Sequence, residues 1–139
     1  MKCTFCAIAS SAAPAQIVFE DAVSLAFLDA RPLFAGHTLL VPREHYETLS
    51  DLPAELVGPL FANARALAGA MESALGAEGS FVAVNNRVSQ SVPHLHVHVV
   101  PRRKGDGLKG FFWPRTKYKS DDEMAAVAEL LRSALRAGR

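Results

Sequence analysis

Three histidines alternate with apolar residues in the segment 93–101. Because successive side chains of a β-strand point to opposite faces, the alternation predicts that His94, His96 and His98 share one face of a strand and that the apolar residues line the other. The imidazoles would then follow one another at ~6.6 Å. With pKa values near neutrality they could transfer protons or act as nucleophiles, and histidines on one face can also bind zinc.

The segment 94–100 resembles the motif from which the histidine triad (HIT) family takes its name: His, apolar, His, apolar, His, apolar, apolar. The segments 27–32 and 36–42 resemble the family's upstream signature. Gln90 and Ser91 precede the triad as the corresponding residues do in family members. The resemblance covers most of the chain.

Length and composition predict one globular domain. With 139 residues, half of them hydrophobic, the chain can bury one continuous core, and we expect a single domain over residues 1–139. The 15 basic and 14 acidic residues leave a net charge of +1, which favours neither a nucleic-acid polymer nor a membrane as partner. Without a signal-peptide pattern or a membrane-spanning apolar run, a cytoplasmic location is expected.

Short segments rich in Val, Ile, Leu and Phe predict five β-strands, over residues 16–20, 23–29, 37–42, 80–85 and 93–101. A short polar loop joins the last two, which suggests an antiparallel hairpin. Strands that pair locally and helices that are segregated from them indicate an α+β domain with an antiparallel sheet. The HIT resemblance implies the same sheet and adds a two-fold homodimer.

Two helices are predicted. Apolar residues at helical spacing predict a main helix over residues 51–75, capped by Asp51, with Pro59 bending it or delaying its start. Ser120 and Glu123 form a capping box that opens a C-terminal helix.

The resemblance implies a chemical role for each residue around the triad. His96, the central histidine, would attack phosphorus and form a covalent nucleotidyl-histidine intermediate, which water then hydrolyses. His98 and His37 would hydrogen-bond around the α-phosphate and the nucleophile. Ser91 and Gln90 would contact the phosphate and the leaving group.

The nucleoside would be bound by residues upstream of the triad. Asn85 matches an asparagine that family members place beside the phosphate. Asp29 matches the family's acidic or amide residue that holds the ribose hydroxyls, and Phe27 with apolar residues near Phe19 would line the base pocket. Family members commonly have Gly where this chain has Ser89.

Cys3 and Cys6 form a C-x-x-C pair, which can be a redox dithiol, half of a metal site or two unrelated thiols. No strand precedes the pair, and this favours metal over redox chemistry. One subset of the HIT family has both cysteines and a histidine at the position of His45. The resemblance implies a structural zinc bound by Cys3, Cys6, His45 and His94, whose closed coordination argues against zinc activating water.

We therefore expect a nucleotide hydrolase or nucleotidyl transferase that acts on the α-phosphate of purine nucleotides, such as dinucleoside polyphosphates, nucleoside phosphoramidates or adenylyl conjugates. A nucleotide-binding regulatory protein with incidental turnover is the alternative. A metalloenzyme with the three triad histidines as ligands is a second alternative, which conflicts with placing His94 beside the cysteines. The basic residues Arg102, Arg103 and Lys104 could meet extra phosphates or form a solvated loop.

Overall fold

The computed structural model describes residues 3–108 and 115–138. Its centre is a five-stranded antiparallel sheet in the order β1-β2-β3-β5-β4. The strands are β1 (Ile17–Glu20), β2 (Ser24–Leu28), β3 (Thr38–Pro42), β4 (Gly79–Val84) and β5 (Val97–Arg102). The predicted α+β class, with five strands and a β4–β5 hairpin, is confirmed. The homodimer stays a prediction.

The chain divides into two compact units, Met1–Asp106 and Gly107–Arg139. The first contains the sheet, helix α1 (Thr4–Ala9), a 3₁₀ turn (Leu49–Asp51) and helix α2 (Ala54–Leu75), and the second contains helix α3 (Asp121–Ala137). No helix among the described residues has the length and apolarity needed to cross a membrane. That residues 1–139 form one domain stays a prediction.

Alternate strand residues point to two separate hydrophobic clusters. Ala26, Leu40, Val97 and Val99 pack with the buried face of α2. The strand residues that flank Ala26 and Leu40 pack instead with Phe5 of α1; they are Leu25, Phe27, Leu39 and Val41. This period of two places the clusters on opposite faces of the sheet. His98 alternates with Val97 and Val99, so it lies on the α1 face.

Helix α1 was not predicted. It has only six residues, and a helix this short is unstable without tertiary contacts. Here the contacts come from Phe5, which is buried against Phe27 at a ring-centroid distance of 5.3 Å. Cys3 is the N-cap, and its sulfur accepts a hydrogen bond from the Cys6 N–H.

The prediction of one strand carrying all three triad histidines is wrong. Strand β5 begins at Val97, so His94 and His96 precede it and only His98 lies on it. The His96 and His98 rings are nevertheless neighbours, with their centroids 4.9 Å apart.

The start of α2 also differs from the prediction. Asp51 does not cap α2 but belongs to the 3₁₀ turn, where its carboxylate accepts from the Thr48 N–H and hydroxyl at 3.0 and 2.8 Å. Pro53 is the N-cap of α2, and Pro59 lies inside the helix without delaying its start. Because both Thr48 donors bind the Asp51 carboxylate, this side chain stabilises the 3₁₀ turn and does not cap α2.

Helix α3 begins at the predicted cap. The Ser120 hydroxyl oxygen accepts from the Glu123 N–H at 3.1 Å, whereas the Glu123 carboxylate accepts from the Lys119 N–H, so only half of the capping box forms. The helix is amphipathic, and its larger apolar side chains are exposed: Met124, Val127, Leu130, Leu131 and Leu135. The aromatic cluster 111–113 lies outside the described residues.

Gly36 allows the chain to turn into β3 just before His37. Its φ of +101° is a conformation that L side chains rarely adopt, and an added Cβ would lie 2.5 Å from Leu75 Cδ1. Its φ therefore favours glycine at this position, while the tip of the Leu75 side chain occupies the space that a Cβ would take.

Gly36→Ala should lower the free energy of unfolding by about 1 to 3 kcal/mol, because the new side chain is strained at this φ. The matched control is Gly69→Ala in the interior of α2, where an added Cβ meets no atom within 4 Å. There the substitution should stabilise by about 0.5 to 1 kcal/mol. Denaturant unfolding midpoints measure both effects. Two variants with the same sign would contradict the assignment of strain to Gly36.

Candidate active site

A cavity of about 850 Å³ opens on the α1 face of the sheet. Five of the predicted site residues line it, namely Phe27, Asp29, Ser91, His96 and His98. The lining also includes residues from α1 and the loop after it that sequence reasoning missed: Thr4, Phe5, Ile8, Pro14, Ala15 and Gln16. Phe5 and Ile8 stand three apart, a helical spacing directly around the C-x-x-C pair that could have revealed them.

The imidazole of His96 is fixed by a backbone carbonyl. Its Nδ1 lies 2.8 Å from the carbonyl oxygen of His94, and the residue is buried. A carbonyl oxygen can only accept, so Nδ1 of His96 carries the proton and Nε2 keeps its lone pair. Because His96 lines the cavity, this leaves a nucleophilic nitrogen at the site.

A relay of hydrogen bonds fixes the protons of His37 and His98. The Leu33 N–H donates to His37 Nδ1 at 3.0 Å, so the proton of a neutral His37 is on Nε2. That N–H donates to His98 Nδ1, also at 3.0 Å. His98 must then carry its own proton on Nε2 and can donate it in the cavity.

Burial keeps these two imidazoles neutral. Loss of solvation lowers the pKa of His98 to about 4, and the neighbouring His96 and His37 add to the shift. Burial also lowers the pKa of His37, against the opposing effect of Asp29. At neutral pH each ring therefore has one N–H, as the relay requires.

Asp29 lies where β2 ends, on the rim of the cavity. One carboxylate oxygen accepts from the Arg31 N–H at 2.9 Å. The other is 3.7 Å from His37 Nε2, and the residue is only partly buried. The carboxylate thus keeps acceptor capacity for a ligand.

Gln90 holds the loop before the triad. Its amide oxygen accepts from the Arg87 N–H at 2.8 Å, and its amide nitrogen donates to the Glu47 carbonyl at 2.6 Å. Ser89, at the position of the family's glycine, has φ of +62°, in the region that favours glycine. The lining of the cavity does not include Gln90, Asn85, Phe19 or His37. The roles predicted for these residues stay predictions.

Cys3, Cys6, His45 and His94 converge, with their ligand atoms within 4.8 Å of one another. Cys3 Sγ to His94 Nδ1 and Cys6 Sγ to His45 Nδ1 are both 3.4 Å, and Cys6 Sγ to His94 Nδ1 is 3.5 Å. Ligands at zinc bond lengths form a tetrahedron with edges of about 3.6 Å. His94 Nε2 donates to the Pro42 carbonyl at 2.9 Å, which leaves Nδ1 free to coordinate. These residues fit zinc.

The basic residues at the end of β5 and directly after it have partners within the chain. Arg102 forms two contacts with the Asp106 carboxylate, at 2.5 and 3.0 Å. The Arg103 guanidinium donates to the Leu75 carbonyl at the end of α2. Both side chains therefore stabilise the far end of β5, away from His98 at its beginning.

The HIT domain family matches residues 10–105 of the chain. The chain belongs to the HIT family. The uncharacterised HIT-like protein MT1300 of Mycobacterium tuberculosis is 38% identical over 140 residues, covering 97% of this chain and 94% of that protein. The adenosine 5′-monophosphoramidase hnt1 of Schizosaccharomyces pombe is 33% identical over 138 residues, covering 98% of this chain and 100% of that protein.

A zinc-bound histidine triad protein from Mycobacterium smegmatis has a crystal structure similar to this one. It superposes with a TM-score of 0.74 at 39% identity, covering 96% of this chain and 98% of that chain. The predicted family is confirmed, and the chain is a HIT-type enzyme, at the level of the family a nucleotide hydrolase.

The neutral His98 predicts an acid-sensitive fold. An unfolded histidine takes up a proton near pH 6.5, whereas folded His98 does so only near its pKa of about 4. The unfolded state therefore binds more protons between these values, and the free energy of unfolding should fall as the pH falls through them.

Chemical denaturation across this pH window measures the slope. His98→Asn should show a shallower slope than the wild type, while His37 and His94, whose pKa values burial also lowers, account for the slope that remains. An unchanged slope in His98→Asn would contradict the prediction.

Proposed function

We propose that the protein transfers the nucleotidyl group of a purine nucleotide to water through a covalent intermediate on His96. The observation that carries this proposal is the hydrogen bond from His96 Nδ1–H to the His94 carbonyl, which leaves Nε2 as the attacking atom in the cavity. The bond from Nε2 to the α-phosphorus forms as the bond from phosphorus to the leaving group breaks, and an amine leaving group takes a proton from solvent as it departs. Water then attacks phosphorus, its proton returns to solvent, and the bond to Nε2 breaks.

His98 and Ser91 are placed to stabilise the charge that develops on the phosphoryl oxygens. His98 supplies an N–H that the relay from His37 directs to Nε2, and Ser91 supplies a hydroxyl at the same cavity wall. Fixed donors of this kind stabilise a transition state without reorganising during the reaction. Because His98 is neutral, it can donate this hydrogen bond to the phosphoryl oxygens without transferring its proton.

The nucleoside would bind between α1 and the end of β2. Phe27, Phe5 and Ile8 provide apolar walls for a purine base, and Asp29 would accept from the two ribose hydroxyls. The fission-yeast relative, named for its action on an adenosine phosphoramidate, supports an adenosine nucleotide.

The charge of the cavity favours a substrate with a neutral leaving group. Among the described residues that line it, Arg31 is the one cation and Asp29 the one anion. A polyphosphate chain would need several cations to offset its charge. We therefore propose nucleoside phosphoramidates, whose leaving group is an amine, ahead of dinucleoside polyphosphates. Arg102 and Arg103, which could have served a polyphosphate, have the intrachain partners described above.

We further propose that Cys3, Cys6, His45 and His94 hold a structural zinc, as supported by their distances and by the zinc-bound relative. When bound, zinc would cross-link α1 to the segment that enters β5. Because all four ligands come from the protein, they leave no open position for a substrate or water. Zinc-bound, this chain would fall in the zinc-containing branch of the family.

His96→Ala should abolish turnover of adenosine 5′-phosphoramidate to within a small residual rate, because the chemistry passes through one imidazole. Nucleotide binding, measured by calorimetry with AMP, should persist. Wild-type protein quenched during turnover should carry an acid-labile, base-stable adenylyl label that the variant lacks. The proposed reaction would be contradicted if folded His96→Ala turned over substrate at the rate of the wild type. It would also be contradicted if the wild type bound AMP but turned over no nucleotide.

Cys6→Ser should lose metal and thermal stability, because removing one of four ligands weakens a site whose binding energy also stabilises the fold. Wild-type protein purified from zinc-replete medium should contain about one zinc per chain by elemental analysis. Ser10→Ala, an exposed position just after α1, is the matched control and should keep both properties. A wild type without zinc would remove the site, and Cys6→Ser with full zinc would show that the sulfur is not a ligand.

A further inference from the structure

The ring of Phe5 lies between the proposed metal site and the nucleophile. It makes edge-to-face contacts with His96, at a centroid distance of 5.1 Å and an interplanar angle of 84°, and with His94, at 5.9 Å and 72°. Phe5 is only 6% exposed, so its ring is confined. A confined ring against one edge of His96 limits rotation of the imidazole about its side-chain bonds.

Phe5 lies on a helix that is too short to be stable without tertiary contacts. Helix α1 has six residues, and its N-cap acceptor is the sulfur of Cys3, to which the Cys6 N–H donates. Cys3 and Cys6 are the two cysteine members of the metal cluster. The segment also precedes residue 10, where the match to the HIT domain family begins. The cysteines on both sides of Phe5 are therefore placed to restrain it in addition to its packing on Phe27.

We propose that Phe5 is a positioning residue for His96 and that metal binding by Cys3, Cys6, His45 and His94 keeps it in place, so that loading this cluster raises the rate of nucleophilic attack. This inference rests on the proposed role of His96. Two links reach the nucleophile from the cluster. One is the Phe5 ring, and the other is the backbone of His94, whose carbonyl accepts from His96 Nδ1 at 2.8 Å.

The test uses the full zinc-loaded chain and Phe5→Leu, which removes the ring and leaves both cysteines. The variant should retain its zinc, and kcat for adenosine 5′-phosphoramidate should fall about 10- to 100-fold with a smaller change in KM, as expected for a misplaced reacting group. The solvent-exchange lifetime of the His96 Nδ1 proton, measured by NMR without substrate, should shorten. Phe5→Tyr, which restores a ring, should recover most of the lost kcat and lifetime.

Zinc removal supplies the second arm. Chelation should lower kcat and shorten the proton lifetime in the wild type, and its effects should be smaller in Phe5→Leu, because that variant has already lost one of the two links between the cluster and His96. Ile8→Ala is the matched control on the same helix and cavity wall, and it should raise KM without shortening the lifetime. If Phe5→Leu does not fold, Phe5→Met replaces it.

Each of three results would overturn the proposal. The first is that Phe5→Leu keeps the wild-type kcat and proton lifetime, and the second is that the effects of zinc removal and Phe5→Leu multiply. The third is that Ile8→Ala has an equally short proton lifetime. The proton lifetime needs no turnover. If the wild type cleaves no nucleotide, the proposed function fails while the lifetime still decides whether Phe5 and the metal position His96.

Discussion

The hydrogen bond from His96 Nδ1–H to the His94 carbonyl is the interaction on which the site depends. A neutral imidazole has one proton, so fixing it on Nδ1 leaves Nε2 as the atom with the lone pair that the proposed reaction requires. The same kind of constraint acts on its neighbours. The Pro42 carbonyl fixes the proton of His94, and the Leu33 N–H fixes that of His37 and, through it, that of His98. Backbone groups thus determine which nitrogen of each ring carries the proton.

These backbone groups are in register because the sheet holds them. Strand β5 lies between β3 and β4, and His98 pairs with Leu39 on one side and Ala83 on the other. His37 precedes β3, after the turn that Gly36 permits. The two hydrophobic clusters fix the faces of these strands, since a slip of one residue would move His98 to the α2 side. Core packing and catalytic geometry are therefore set by the same alternation.

Much of the fold could be predicted from the sequence because its signals are local. Apolar segments bounded by turns marked the strands, and Ser120 marked the start of α3. Helix α1 escaped prediction because six residues carry little periodicity, and its stability comes from Phe5 packing against a strand that is distant in sequence. The late start of β5 escaped for a related reason. The alternation around His96 is compatible with a strand, but the His94 N–H donates to the Val92 carbonyl and the Leu95 N–H to the Tyr46 carbonyl, so this segment lies outside the ladder.

In the candidate site, too, some features could be predicted from the sequence and others could not. Residue type and resemblance marked His96, His98, Asp29 and the Cys/His set, which the fold brings to one cavity and one cluster. The engagement of Gln90 with Glu47 could not be predicted, because it depends on the conformation of two loops. Nor could the contact between Phe5 and His96, since Phe5 also contacts His94 of the Cys/His cluster.

The tautomers of the three histidines around the cavity can be measured directly. Nitrogen-15 NMR of the imidazoles at neutral pH, in zinc-loaded protein without substrate, distinguishes a protonated from an unprotonated ring nitrogen. The observed hydrogen bonds predict a proton on Nδ1 of His96 and on Nε2 of His37 and His98. A proton on Nε2 of His96 would contradict this prediction, because the lone pair would then face the backbone and no nucleophile would remain in the cavity.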